Sequence, residues 1–495
     1  MAVIGIELCD AGFQATRSDH GQLSPVVLPD AAGALGWMGL VSHDGKKCSF
    51  GRDAESQWFV HPRRVCHNFW SRLSRESSTL GQDGKALSFS QLAYYFLRDY
   101  HERLTAVAGT PEKYMLAVPG GYLKDAATED EKIGLLLGLA SELKLPLAGV
   151  VDLACAAVSD PRLDYFDRSL PLLVVDIHLR GAEITLLRQE GGRFVRKDYA
   201  DLPHSGFAGF LRHAMTAMGN RFLRHTTFDI LESGHIEQEF YYQMKKFLLS
   251  GAAEHHFQIN TGSHAYEMTA SREQLVADAA ALVQTLVQGT RSLSHKSTGR
   301  PESCTVAFTD RVGLLPGIVA RFRAAGLTRL LQLPGGAAAA GAAVVGEDRP
   351  LPEDLANVSV EIASPMALTP PDRPVPWEMR LMKSLRTTAP VPPTHAICEG
   401  LGRALDRLSV FTIGAAGHPV DLALPEEFNP AGKVCRIRLE HQAGQWWLFH
   451  QSAGEADAGT EIAAGDRLVL RFGAAETEVI FAACPEIPGG RRHRE

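Results

Sequence analysis

The chain has 495 residues and a mass of 53.8 kDa, enough for roughly two to four domains and a large buried core. Hydrophobic residues make up 45% and charged residues 22%, and 57 acidic against 50 basic side chains leave a formal net charge of -7. That composition excludes fibrous, membrane-embedded and disordered classes, and its acidic balance argues against nucleic acid or an anionic membrane as partner, since either favours a basic surface.

Residues 1–7 lack the basic and apolar runs of a secretion signal and read as the start of a first strand over 3–8; the expected location is cytoplasmic. Short apolar runs at 114–118, 149–153 and 172–177 read as buried strands. Between the first two lies a helix over 125–145. Asp125 caps it, Ile133, Leu136, Leu137, Ala140 and Leu143 form its apolar stripe, and Pro146 ends it. A second long helix, over 271–294, carries Leu275, Ala279, Leu282 and Leu286 on one face. The Ala/Gly-rich stretch 335–345 is far too short to span a membrane. Strand–helix alternation predicts an α/β domain.

Prolines crowd the next segment, 347–393, which reads as a linker with one short helix over 377–385. Six short strands follow, at 394–399, 409–413, 434–439, 445–449, 467–471 and 477–481, separated by Gly and Asp turns. They predict an all-β sandwich over 394–485. Residues 486–495, with the basic run Arg491-Arg492-His493-Arg494, read as a solvated tail. The eight cysteines include no Cys-x-x-Cys pair, so reduced thiols are expected in place of a disulfide framework or structural zinc. His61, Cys66 and His67 lie close together but match no standard metal spacing.

Several segments carry a joint signal by their order. These are Gly5-Ile6-Glu7-Leu8, Phe50-Gly51-Arg52-Asp53-Ala54 and Ala117-Val118-Pro119-Gly120-Gly121-Tyr122, then Asp152-Leu153-Ala154-Cys155-Ala156-Ala157 and Leu173-Val174-Val175-Asp176-Ile177. Met244-Lys245-Lys246-Phe247-Leu248-Leu249-Ser250, Tyr266-Glu267-Met268-Thr269 and Gly336 to Gly341-Ala342-Ala343 complete the series. Over residues 1–346 this order resembles the nucleotide-binding domain of the 70-kDa heat-shock proteins, in the actin-like ATPase superfamily. The resemblance implies an α/β actin-like ATPase fold with ATP or ADP and Mg²⁺ held between two Gly-rich hairpins.

The phosphate chemistry implied by that family is eroded in this chain. Backbone N–H groups, hydroxyls and a lysine would handle the phosphates, and carboxylates the metal. The first hairpin reads Cys9-Asp10-Ala11 where Gly-Thr-Thr is expected, which removes two hydroxyls and adds a carboxylate. The family's lysine falls on Ser71. The second hairpin reads Ile177-His178-Leu179-Arg180-Gly181 in place of glycines and a threonine, and Arg180 is read either as a substitute phosphate ligand or as an exposed turn residue. A glycine pair of the adenosine side falls on Asp310-Arg311. The resemblance retains Glu7, Asp152 and Asp176 at or near metal-facing positions, Lys246 and Ser250 at the adenosine, and Gly341 in the closing helix. With Asp10 and Arg180 these residues form a vestigial nucleotide cleft, with no catalytic residue and no resident metal expected.

Residues 394–485 resemble a forkhead-associated domain through Phe411-Thr412-Ile413-Gly414, Asp421-Leu422, Gly444-Gln445-Trp446-Trp447-Leu448, Ile462 and Gly465-Asp466-Arg467-Leu468. The phosphothreonine ligands of such domains are missing: Ala415 follows Gly414, Ala431 and Val434 occupy the Ser/His run, and Ala453-Gly454 replace an Asn-Gly pair. The expectation is a degenerate pseudo-ATPase that acts through protein partners, in an oligomeric state the sequence does not indicate. Two alternatives stay open: a weak ATP-dependent chaperone using Asp10, Arg180 and Asp310-Arg311, and a phosphopeptide adaptor.

Overall fold

A computed structural model describes residues 2–363, 378–384 and 391–483, except 30, 32–34, 83–84, 164–165, 167–168, 263, 300–302, 406–409, 416–419, 425–435, 443–444, 451–459 and 473–474. The chain divides into two compact units, Met1–Leu368 and Thr369–Glu495. The first is mixed α/β and the second is built of β-sheets.

Two large sheets of like topology, with three small ones beside them, build the described part of the first unit. In one, β1 (Ala2–Glu7), β2 (Gln14–Asp19) and β3 (Gln22–Val26) make an antiparallel meander, and β4 (Lys113–Val118) and β5 (Leu147–Asp152) add in parallel beyond β1. In the other, β6 (Leu172–Ile177), β7 (Gly181–Glu190) and β8 (Arg193–Pro203) make the meander, and β9 (Thr305–Phe308) and β10 (Leu330–Gln332) add in parallel beyond β6. Numbering strands within each repeat, both sheets read 3-2-1-4-5. The parallel strands β4 and β5 are buried at every residue, which is why they read as continuous apolar runs.

The helices start where local chemistry favours it. Ser88 and Gln91 form a capping box for α1 (Phe89–Ala108), and Asp125 accepts the Thr128 N–H at 2.8 Å to cap α2 (Ala126–Glu142). The short α3 (Leu153–Ala157) follows β5, and α4 (Phe207–Thr226) and α5 (Gly234–Ser250) follow β8. Ser271 and Gln274 cap α6 (Arg272–Thr298), which runs four residues beyond the sequence expectation to an αL glycine, Gly299. Last comes α7 (Ala337–Glu347).

Three hydrophobic clusters order these parts into layers. α1 and α2 pack on the outer face of the first sheet, α4 and α6 on the outer face of the second with α5 packed against α4, and α3 with α7 lie between the sheets. Small residues make this central layer possible. A Cβ on Gly5 of β1 would fall 2.1 Å from the Ala339 carbonyl oxygen, and one on Gly341 would fall 1.7 Å from that of Ala156. Thus α7 lies directly on β1 and crosses α3 backbone to backbone.

Of the proline-dense stretch, the described residues are 347–363, 378–384 and 391–393. Its first part supplies β11 (Ser359–Glu361), which extends the first sheet by pairing in parallel with β5. Two residues on, Ile362 accepts the Arg196 N–H at 3.0 Å and Ala363 bridges to Val195 in β8. Residues 359–363 therefore strap the two sheets together. The helix expected over 377–385 is instead β12 (Glu378–Met382), because pairing with a neighbouring strand satisfies its backbone in place of helical turns. Trp377, and prolines 365, 370, 371, 374, 376 and 390, lie outside the described residues.

In the second unit, β12 begins a sheet with β13 (His395–Cys398) and β14 (Leu401–Ala404), completed by two strands from the end of the chain. A second sheet contains β15 (Val410–Ala415), β16 (Leu422–Leu424), β17 (Arg436–Gln442), β18 (Gln445–His450) and β19 (Thr460–Ile462). The closing strands of the first are β20 (Arg467–Phe472) and β21 (Ala475–Ala482). Ala396, Leu468 and Phe481 from one sheet and Ile413, Leu439 and Trp446 from the other share one core.

Candidate functional site

The C-terminal ends of β1 and β6 meet at equivalent points of the two repeats. Glu7 ends β1 and Asp176 stands one residue from the end of β6, and the turns that follow touch through residues 169 positions apart. Cys9 Sγ lies 3.3 Å from His178 Nδ1, and Asp10 Oδ1 accepts the Leu179 N–H at 2.7 Å. The two hairpins are thus joined by direct polar contacts.

Arg311 completes the junction. It follows β9 in a short helical turn, and its side chain is 0% exposed. Its Nη2 donates to Glu7 Oε1 and lies 3.1 Å from Asp176 Oδ1, while Nη1 lies 3.4 Å from the Gly12 carbonyl. Thr309 Oγ1 donates to the same Asp176 oxygen at 2.6 Å. Asp310 faces Gln14 Nε2 at 2.8 Å and the Gly336 N–H at 3.3 Å. Burial alone would disfavour the guanidinium, but Asp176, Cys9, Glu7 and Asp310 hold its pKa far above the ordinary arginine value. Burial pushes Glu7 up to about 7 against the pull of Arg311. The space lined by Glu7, Ala157, Thr309, Asp310 and Ala337 is only about 10 Å³, room for about one water.

Beside this cation lies a second polar group. His178 Nε2 is buried without a hydrogen-bond partner, 3.4 Å from Glu183 Oε1 and 3.6 Å from Asp176 Oδ2. Glu183 accepts N–H groups of Gly120 at 2.9 Å and Gly121 at 3.2 Å, and the Tyr199 hydroxyl at 3.2 Å. Burial opposes its charge, yet His178 and those N–H groups win and bring its pKa down to about 2. For His178 burial opposes the charged ring, the contacts with Cys9 and Glu183 outweigh it, and the pKa is raised. Burial pushes the Cys9 thiol up to about 11 and raises Asp10 as well.

The residues singled out from sequence fall into three places. Glu7, Asp10 and Asp176 gather at the hairpin junction, where they bind Arg311 and Leu179 and face no open phosphate cleft. Asp152 stands apart: one oxygen caps α3 through Ala154 and Cys155, and the other pairs with Arg196 Nη1 at 2.7 Å. Lys246 and Ser250 are exposed on α5 and line a cavity of about 500 Å³ with Arg52, Glu55, Tyr242 and Lys245. Gly341 belongs to the crossing of α7 with α3, because its missing side chain is needed for helix contact. Arg180 is exposed with Nη1 3.5 Å from His67 Nε2, while Asp10 accepts the Leu179 N–H and Arg311 is buried against Glu7 and Asp176. Ser71 is likewise exposed and donates to the Asn68 carbonyl.

Sequence reasoning missed the part played by Arg311, which it counted as a lost glycine, and that of the Cys9–His178 contact. The signal was present in the paired substitution of both hairpins: a thiol in one and an imidazole in the other replace residues at matching positions. Among the described residues, His61, Cys66 and His67 form no cluster of ligand atoms. In the second unit Trp446 is buried in the core, while residues 431, 434, 453 and 454 lie outside the described residues.

The chain matches no known family model, and no curated protein matches it. Among the described residues no helix is long and apolar enough to cross a membrane.

Proposed function

We propose that this chain is a catalytically inert relative of the 70-kDa heat-shock ATPases, with an actin-like nucleotide fold turned into a protein-interaction scaffold or regulatory subunit. The repeated 3-2-1-4-5 strand order, with a helix after each fifth strand crossing between the sheets, supports the fold assignment. One observation carries the loss of activity: the Arg311 guanidinium bridges Glu7 and Asp176, where the resemblance would place Mg²⁺ and phosphate. A resident arginine between these carboxylates supplies the positive charge a metal would bring, and the touching hairpins leave no backbone cradle open. The residues present do not fit a Mg–triphosphate group, and no step of hydrolysis is derived from them.

Calorimetric titration of the full chain with Mg-ATP, together with a turnover assay, tests this reading. Neither hydrolysis nor heat of binding is expected at the hairpins; micromolar affinity accompanied by turnover would overturn it.

The cavity on α5 favours a second reading, nucleotide binding without hydrolysis. Arg52, Lys245 and Lys246 give it cationic groups and Tyr242 and Leu249 an apolar wall. ADP binding that is lost in Lys246→Ala, with no turnover in either protein, would select it.

A further inference from the structure

The buried hairpin junction gathers four acidic side chains around two cations. Among the described residues Glu7, Asp10, Asp176 and Glu183 are each less than 5% exposed, and Arg311 and His178 are the cations that face them. Buried ionisable groups are found paired or bound to a metal.

Three atoms are arranged to receive one. Cys9 Sγ, Asp10 Oδ1 and His178 Nδ1 all lie within 4.8 Å of one another. The Sγ to Nδ1 distance is 3.3 Å and the Oδ1 to Nδ1 distance 3.8 Å. A tetrahedral zinc ion with ordinary bond lengths needs about 3.5 Å between S and N ligands and about 3.3 Å between N and O ligands. The S–N pair is within about 0.2 Å of zinc geometry, and the N–O pair closes on it by a shift of about half an ångström. The contact on the far side of the ring supplies an independent observation: His178 Nε2 lies 3.4 Å from Glu183 Oε1. With Nδ1 on a metal, Nε2 carries the proton and points at Glu183, itself anchored by Gly120, Gly121 and Tyr199. A carboxylate behind the ligating histidine is the usual outer shell of a zinc site.

We propose that Cys9, Asp10 and His178 form a binding site for a borderline-soft divalent ion of the zinc class, with Glu183 as the positioning carboxylate and one coordination position left for water. Cys9 binds as the thiolate and His178 as the neutral ring with its proton on Nε2, so binding releases two protons to solvent, one from Cys9 Sγ and one from His178 Nδ1. The thiolate sets the preference for Zn²⁺ or Co²⁺ over Mg²⁺. Because Cys9 belongs to the first hairpin and His178 to the second, the ion staples the two repeats at their junction. The site stands independently of the inert-ATPase reading: a chain that hydrolysed ATP would lose that reading and keep this one.

The test uses the full chain stripped with a chelator and titrated with Co²⁺. The expected result is one equivalent bound, with the absorption of tetrahedral thiolate-ligated cobalt, displaced by Zn²⁺. Cys9→Ser abolishes the thiolate band and Cys66→Ser leaves it intact. Glu183→Gln, which keeps all three ligands, lowers zinc affinity by about 10- to 100-fold. Absence of a thiolate–cobalt band in the unmodified chain overturns the proposal without recourse to any variant. Persistence of the band in Cys9→Ser overturns it equally, and should that variant fail to fold, an unchanged zinc affinity in Glu183→Gln does so.

Discussion

Arg311 Nη2 lies 3.1 Å from Asp176 Oδ1, at a point where neither side chain is more than 2% exposed. The same guanidinium reaches Glu7, so one cation from the turn after β9 binds the ends of β1 and β6. Burying these charges is compensated only while all three are present. Arg311→Ala leaves two buried carboxylates facing each other and should destabilise the first unit by about 3–5 kcal/mol at pH 7. Urea unfolding followed by hydrogen exchange in β1 and β6 measures this. A cost below about 1 kcal/mol, the level of a surface pair, would show that the arginine does not balance the site.

A double-mutant cycle separates that charge from packing. Glu7→Gln removes one carboxylate while conserving shape, so Arg311→Ala should cost less in its presence. The expected coupling is about 1–3 kcal/mol. Strict additivity would mean that Arg311 and Glu7 act independently, against the contact seen.

His67 sets an acid limit. Burial, with Arg180 and Arg212 nearby, pushes its pKa down to about 4, and the Trp58 ring packs 5.9 Å away. The ring is neutral in the folded chain and protonates near pH 6.5 once unfolded. Stability from this group is therefore whole above about pH 6.5, falls as the unfolded state gains a proton, and is fully lost below about pH 4. Allowing for its partial exposure, the loss between pH 7 and pH 5 is about 1–2 kcal/mol. His67→Gln should flatten that part of the stability–pH curve relative to the unmodified chain. An identical slope in both proteins contradicts the assignment.

Glycines of the first unit should divide by what surrounds them. Nothing lies within 4 Å of a Cβ built on Gly138, in the middle of α2, whereas at Gly341 the Ala156 carbonyl is 1.7 Å away. Gly138→Ala therefore gains helix propensity of about 0.5–1 kcal/mol. Gly341→Ala forces α3 and α7 apart and should cost about 1–3 kcal/mol, as overpacking does. Thermal unfolding of the two variants should shift in opposite directions; a stabilised Gly341→Ala would place α7 elsewhere.

Much of this architecture was legible because it is local. Buried strands such as Lys113–Val118 and capped helices such as Ala126–Glu142 announce themselves through apolar runs and N-cap residues. The six strands expected in the second unit each have a counterpart, β13, β15, β17, β18, β20 and β21. What escaped depends on long-range pairing. β11 and β12 are short and sit among prolines, and each is a strand because a distant neighbour offers hydrogen bonds. Arg311 likewise gains its role from carboxylates 304 and 135 residues away in sequence. No window of sequence contains such a contact.

Asp466 gives the same lesson in the second unit and a final prediction. It was read as part of a Gly-Asp turn before a strand, yet its side chain is 0% exposed and holds the segment after β12. One oxygen accepts the Ser384 N–H at 3.0 Å, and the other takes the Lys383 ammonium at 3.0 Å and the Ala463 N–H at 3.0 Å. These bonds tie residues 378–384 to the β-unit. Asp466→Ala strands the two N–H donors, while the half-exposed Lys383 ammonium keeps the Glu461 carbonyl and solvent, a cost of about 2–4 kcal/mol. Because the loss falls on one edge strand, the amides of Glu378–Met382 should exchange much faster while those of β17 keep their protection. Uniform loss of protection across both sheets would instead mean that Asp466 supports the whole unit, and unchanged exchange at 378–382 would mean that β12 is held by its pairing with β20 alone.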